Sequence, residues 1–223
     1  MRAMLKSRDN PKTFFGRRKG KGIPAAREDF YAENLPRFMW EAGASVPKGR
    51  AHLEIGYGSG EHLAALALDN PDDFFLGSEA FLNGNVAMLK SLAEHDVKNV
   101  RIFPDDANLL LPSLADASFD NIYVLYPDPW PKNRHEARRM IGASRLKTFH
   151  RLLKPGGELL VVSDHPVYIP WVLMRMRDFP GFLWSAAVSS DFTAPPENWR
   201  TTRYEQKALR DGRTPIYLRF KKL

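Results

Sequence analysis

Three carboxylates, Glu54, Glu79 and Asp106, each end or follow a short apolar run, so an alternating chain would carry them to one edge of a sheet. Glu54 lies inside the segment Leu53-Glu54-Ile55-Gly56-Tyr57-Gly58-Ser59-Gly60-Glu61. Glycines at alternate positions let the backbone turn tightly and approach a ligand with no Cβ in the way. The spacing of Gly56, Gly58 and Gly60 is Gly-x-Gly-x-Gly, and Glu61 stands where a dinucleotide loop has its last glycine. Glu54 would also repel a pyrophosphate. No Gly-Lys-Ser/Thr ending follows, which excludes a nucleoside-triphosphate loop. An acid beside a glycine turn suits a ligand with a cationic end, and S-adenosylmethionine carries an ammonium and a sulfonium. Glu79 is spaced to accept both hydroxyls of a ribose, and Asp106 to meet an adenine edge.

A second cluster is Tyr126-Pro127-Asp128-Pro129-Trp130-Pro131-Lys132-Asn133-Arg134-His135. Its three prolines fix the backbone before anything binds. Asp128, read as a buried acid between two prolines, can accept from the imino and amino groups of a guanine edge. Lys132 can meet a phosphate or the base carbonyl, and Arg134, Arg138 and Arg139 can follow a nucleic-acid backbone. Trp130, Tyr168, Trp199 and Tyr204 are the aromatic candidates for stacking on an exposed base. The six histidines (52, 62, 95, 135, 150 and 165) show no helical ligand pairing, and no metal is expected.

The elements that must position these groups alternate along the chain. Strands are expected at Ala51–Gly56, Phe74–Glu79, Asn99–Phe103, Phe119–Tyr126 and Glu158–Ser163, followed by Phe182–Val188 and Ile216–Phe220 with no helix between those two. Helices are expected at Glu28–Glu41, where Pro36 introduces a kink, and at Glu61–Leu68, Val86–Ala93, Ser144–Leu153 and Val167–Met176. Such alternation implies an α/β fold with a parallel sheet covered by helices on both faces. Residues 28–223 read as one domain, a size that fits a chain of 223 residues.

Charge marks a different segment. Residues 1–27 hold nine Lys/Arg against Asp9, a net of +8, whereas the rest of the chain is close to neutral. That stretch lacks apolar periodicity and reads as a flexible basic arm. Lys132–Arg151 adds seven basic residues against Glu136, and Arg200–Lys222 adds eight against Glu205 and Asp211. Three basic segments point to a polyanionic partner, since Lys and Arg gain affinity by releasing counterions from phosphates. With no cysteine there is no disulfide, thiolate zinc site or cysteine nucleophile. No apolar run approaches a membrane span or a secretory signal, so a cytoplasmic protein without a membrane partner is expected. Monomer and homodimer are both compatible with the chain.

The Pro-Asp-Pro-Trp-x-Lys-x-Arg-His segment with its trailing arginines resembles the bacterial tRNA (guanine-N7-)-methyltransferases. The glycine loop agrees, and so does Leu153-Lys154-Pro155-Gly156-Gly157-Glu158, the turn before the fifth strand common to class I methyltransferases. Ser163-Asp164-His165 with Tyr168 is similar to the family's Thr-Asp-x-x-x-Tyr, and Thr202-Arg203-Tyr204-Glu205 to its Thr-Lys-Phe-Glu. The resemblance runs from about Asp29 to Phe220. It implies a Rossmann-like three-layer sandwich with a mostly parallel seven-stranded sheet and an antiparallel C-terminal strand. It further implies methyl transfer from S-adenosylmethionine to a guanosine of the tRNA variable loop (position 46 in the usual tRNA count), giving 7-methylguanosine. Glu54, Gly56, Gly58, Gly60, Glu79, Asp106 and Asp128 would bind the cofactor, with Asp128 also catalytic. Lys132, Asp164, Thr202, Arg203, Tyr204 and Glu205 would meet the tRNA. The chain departs from the family at Ala80 and Asn83-Gly84, where Val and a Pro-Gly pair are usual, and at Glu136 and Ala137, which thin the basic run. Two rival readings share parts of this pattern: a class I methyltransferase acting on a small molecule, and a non-catalytic RNA-binding protein on the same fold.

Overall fold

Phe119–Leu125 (β4), rich in β-branched and aromatic residues, forms the middle of a sheet whose other strands are Ala51–Ile55 (β1), Phe74–Ser78 (β2), Val100–Phe103 (β3), Leu153–Ser163 (β5), Phe182–Trp184 (β6) and Ile216–Lys222 (β7). The computed structural model describes Phe15, Gly16, Arg18, Gly20 and residues 23–41, 43–197 and 199–223. Most of the basic segment 1–27 therefore lies outside the described residues. Among those described, the sheet has seven strands in the order β3-β2-β1-β4-β5-β7-β6. β1 to β5 pair in parallel, and β7 runs antiparallel to both β5 and β6. Successive strands step outward from β1 to β3, and the chain then returns to place β4 on the other side of β1. The connections reverse between β1 and β4, and open sheets bind ligands at such a crevice, beyond the strand C-termini.

The side-chain period of two sorts each strand between two cores. Leu53, Ile55, Ile122, Val124, Leu159 and Val161 pack with Leu110 of the short helix Ala107–Leu110 (α4), with Leu146, Phe149 and Leu152 of Ala143–Leu152 (α5) and with Tyr168, Trp171 and Val172 of Tyr168–Arg177 (α6). On the opposite face Phe75, Val100 and Ile102 meet Phe38 of Ala25–Phe38 (α1), Leu63 of Glu61–Asp69 (α2) and Met88, Leu89 and Leu92 of Leu82–Glu94 (α3). A smaller cluster of Leu125, Leu160, Val162 and Tyr217 continues this second face. Both faces are covered, which makes the three layers.

α1 begins at Ala25, inside the segment assigned to the arm, and Pro36 sits in its last turn, two residues before it ends. The C-terminal third departs further from expectation. β6 stops at Trp184 rather than Val188, because the Asp191 carboxylate accepts the backbone N–H groups of Ala187 and Val188 at 2.8 and 3.0 Å and turns the chain. Two helices separate β6 from β7, a short turn at Ser190–Thr193 and then Arg203–Arg210, called α7 here. α7 buries only Glu205 and Ala208, so it has no apolar stripe to reveal it. Its signal is the cap: Thr202 Oγ1 accepts from Glu205 N at 3.2 Å, the Thr-x-x-Glu pattern of a helix start.

Candidate active site

A cavity of about 630 Å³ opens beyond the C-terminal ends of β1 to β4. Gly56 and Gly58 form one wall with φ of +73° and +60°, a backbone that side-chain-bearing residues resist. Glu79 crosses under this turn. Its Oε2 accepts from Gly58 N at 2.9 Å and its Oε1 from Phe81 N at 2.7 Å. Burial raises the affinity of this carboxyl for a proton, the N–H groups of Phe81, Gly58 and Ala80 counter it, and the charge of Asp128 adds to the rise. α3 presses against the same turn at Gly84, where a Cβ would lie 2.2 Å from the Gly58 carbonyl oxygen. Gly60 does not line the cavity. It starts α2 at φ +83°, and a Cβ there would lie 2.0 Å from Met88 Sδ.

The third strand ends in two acids at the cavity wall. Asp105 pairs with Arg18, and Asp106 accepts from Asn108 N at 2.9 Å and Asn108 Nδ2 at 2.8 Å. The fourth strand delivers Tyr126, Pro127, Asp128 and Trp130 to the opposite side. Tyr126 and Trp130 hold φ of +48° and +42° without being glycine, and such strain persists only where surrounding structure over-determines it. Arg139 supplies part of that restraint. It is buried, donates from Nε to Pro129 O and Trp130 O at 3.1 and 3.3 Å, and lies over the Trp171 ring. Two further bonds tie the chain beyond Arg139 to α6: Ile141 N donates to the Tyr168 hydroxyl at 3.1 Å, and Trp171 Nε1 donates to Ile141 O at 2.5 Å.

The fold thus brings Gly56, Gly58, Glu79, Asp106, Asp128 and Tyr204 to one cavity. Asp128 is exposed there, not buried as expected, because Pro127 and Pro129 carry it clear of the sheet. Glu54 is outside the wall. The pleat of β1 turns it to the face opposite Ile55, where it is 2% exposed and accepts from His62 Nδ1 at 2.8 Å. Lys132 is exposed just past Trp130, and Arg203 pairs with Glu61. Asp164 is held by Arg213 Nε at 2.5 Å. Thr202 caps α7, and Glu205 points inward, accepting from Trp199 Nε1 and the Tyr217 hydroxyl at 2.6 Å each. Of the stacking candidates, Tyr168 is a core residue of α6 and Trp199 is half-buried against His62 and Tyr217, whereas Trp130 and Tyr204 reach the cavity.

A family model described as "Putative methyltransferase" matches residues 48–218, most of the chain. A tRNA (guanine-N(7)-)-methyltransferase of Rhizobium johnstonii is 42% identical over 220 residues, covering 94% of this chain and 94% of that protein. One of Agrobacterium fabrum is 41% identical over 217 residues, covering 93% and 94%. The chain belongs to the tRNA (guanine-N7-)-methyltransferase family. Solved structures agree on the fold. The 16S rRNA methyltransferase KamB superposes with a TM-score of 0.55 at 15% identity over 91% of this chain and 95% of that one. An rRNA methylase from Streptococcus thermophilus gives 0.53 at 14% identity over 92% and 99%.

In this methyltransferase the cavity also holds groups that residue spacing does not reveal. Tyr126 stacks near Tyr204, with ring centroids 6.3 Å apart and planes 20° off parallel, and its buried hydroxyl has no hydrogen-bond partner among the described residues. Phe15 and Gly16 line the cavity too, with Arg138 over both the Phe15 and Trp130 rings. Arg145, from the first turn of α5, enters beside Asp106. The aromatic at the strand end is legible as a neighbour of the proline motif, whereas the reach of Phe15 and Arg145 depends on how distant segments meet.

Proposed function

We propose that the chain transfers the methyl group of S-adenosylmethionine to N7 of a guanosine in the tRNA variable loop, in the cytoplasm. The observation that carries this reading is that Asp128 faces the same cavity as Glu79 and Asp106, so a cofactor site and a base site share one space. The residues fit the cofactor. Gly56 leaves backbone open where a nucleoside must approach, and four carboxylates, Glu79, Asp105, Asp106 and Asp128, line a cavity with room for a ligand of that size. When bound, the cofactor supplies an electrophilic methyl on a sulfonium.

The chain's own groups then orient and polarise. Glu79 accepts the ribose hydroxyls, held in place by Gly58 and Phe81. Asp106 meets the adenine edge. Asp128 accepts from the guanine edge and offsets the positive charge the base acquires, while Trp130 and Tyr204 offer faces for stacking. No residue need remove a proton, so placement of N7 against the methyl carries most of the rate. Glu54, outside the wall and bonded to His62 of α2, braces the start of the glycine turn from behind. Incubating tRNA with the protein and labelled cofactor, then digesting to nucleosides, tests the assignment. Label in 7-methylguanosine is expected; label in another nucleoside, or none in tRNA, overturns it.

Two expectations arise from these roles. Glu79→Gln should weaken cofactor binding by about 1–3 kcal/mol, since a charged acceptor is lost. The raised proton affinity of Glu79 sets the direction of pH dependence: protonation begins at a higher pH than for an ordinary carboxylate, so affinity should fall early as pH drops. Calorimetry across pH checks both, and a variant with wild-type affinity removes Glu79 from the site. The second concerns the basic arm. Because Phe15 and Gly16 line the cavity and Arg18 pairs with Asp105, the informative deletion is residues 1–14 rather than 1–27. tRNA affinity should fall, and the slope of log affinity against log salt should lessen by roughly 0.7–0.9 for each phosphate the arm no longer neutralises. Cofactor affinity should hold. Equal affinity and slope in the truncated protein would reduce the arm to a solubility tail.

A further inference from the structure

Three arginines line the cavity: Arg138 lies over the Phe15 and Trp130 rings, Arg139 is bonded to the proline loop, and Arg145 stands by the acid that follows β3. The last of these belongs to the first turn of α5 and lines the wall next to Asp106, Ala107 and Asn108. Burial disfavours its charge and the carboxylate of Asp106 offsets this. Arg145 Nη2 donates to Asn108 Oδ1, while Asn108 Nδ2 donates to Asp106 Oδ1 at 2.8 Å. The two bonds fix the orientation of the Asn108 amide: its carbonyl must face the guanidinium and its amino group the carboxylate. The result is a rigid edge with an acceptor at Asp106 and a donor at Arg145. A guanidinium has five N–H donors in a planar fork, so one bond to Asn108 leaves others to present to the cavity.

That edge has a complement. An adenine ring offers an amino donor beside a ring-nitrogen acceptor, whereas guanine and hypoxanthine offer a carbonyl acceptor beside an N–H donor on the same edge. Acceptor facing acceptor and donor facing donor repel, so the reversed pattern is rejected more strongly than a merely missing bond. We propose that Arg145 reads the acceptor nitrogen of the cofactor's adenine next to Asp106, so that the pair selects an adenine nucleoside and keeps the target guanine out of the cofactor's end of the cavity. This rests on the cofactor reading above. Asp106 accepts from both Asn108 N and Asn108 Nδ2 through Oδ1, and a carboxylate has about four lone-pair sites, so the adenine amino group adds to these bonds and does not replace them.

The test is a pair of affinities measured by calorimetry, for S-adenosylhomocysteine and for S-inosylhomocysteine, whose base carries the reversed pattern. The wild-type protein should prefer the adenosyl compound by about tenfold or more. Arg145→Met should weaken the adenosyl compound by about tenfold and leave the inosyl compound unchanged or tighter, collapsing the ratio. Arg145→Lys, which keeps charge and stem but has one nitrogen in place of the fork, should lower the ratio as well and serves if the Met variant does not fold. A residue that only braces Asn108 would weaken both ligands equally and leave the ratio intact, and that result overturns the proposal. A wild-type protein that binds neither compound would instead overturn the cofactor assignment itself.

Discussion

Asp128→Asn should lower the single-turnover rate of tRNA methylation by about 100-fold or more while cofactor affinity stays near the wild-type value. The carboxylate is the acid of the cavity that comes from the proline loop, and the two roles proposed for it, accepting from the guanine edge and offsetting charge on the methylated base, both need the negative charge. An amide keeps the shape and loses the charge. The loop itself should survive, because Pro127 and Pro129 and the bonds from Arg139 hold it without help from Asp128. Lys132→Ala should act in the same direction, chiefly through tRNA affinity, as it stands exposed beside the loop. Rapid-quench methylation with saturating cofactor, set beside calorimetric cofactor binding, separates the effects. Equal losses of rate and of cofactor affinity would assign Asp128 to the cofactor alone.

Gly84→Ala should be strongly damaging for the addition of one methyl group. Its Cβ would lie 2.2 Å from the Gly58 carbonyl oxygen and 3.0 Å from the Gly58 carbonyl carbon, and both neighbours are backbone. Either α3 or the glycine turn must move. The turn is the softer of the two, yet it carries the Gly58 N–H bond to Glu79 and a φ of +60°. Overpacking of this kind costs about 1–3 kcal/mol, and a displaced turn should cost cofactor affinity as well, by about tenfold. Gly142→Ala is the matched control. Its backbone is extended, at φ −152°, and a Cβ there meets nothing within 4 Å. Thermal unfolding and cofactor titration of the two variants check the contrast. A Gly84→Ala protein as stable and as tight-binding as the Gly142→Ala protein would show that α3 does not brace the turn.

Much of this protein is legible in its sequence because the signals are local. Apolar runs separated by helical spacing name the strands, and the glycines at 56 and 58 name a tight turn with positive φ. The prolines around Asp128 name a rigid loop, since each restricts its own φ wherever the chain goes. The acids at 79, 106 and 128 converge because parallel strands must all end on one side of the sheet.

What sequence could not decide is which way a residue faces once several elements compete for it. Glu54 is separated from the cavity by the pleat of β1, and Trp199 and Tyr217 draw Glu205 inward, each donating a hydrogen bond that a carboxylate taken out of water requires. Tyr168 and Trp171 likewise serve Ile141 rather than a substrate. α7 buries no apolar stripe, so what marks it in the sequence is its cap and the basic residues Arg203, Lys207 and Arg210 recurring at helical spacing. Arg145 and Asp106 are far apart in the chain and are joined through Asn108 only because the segment that follows β3 packs in the same core layer as α5. Periodicity and spacing report what a backbone does over a few residues; the direction of a side chain between two packed layers is set by everything that packs there.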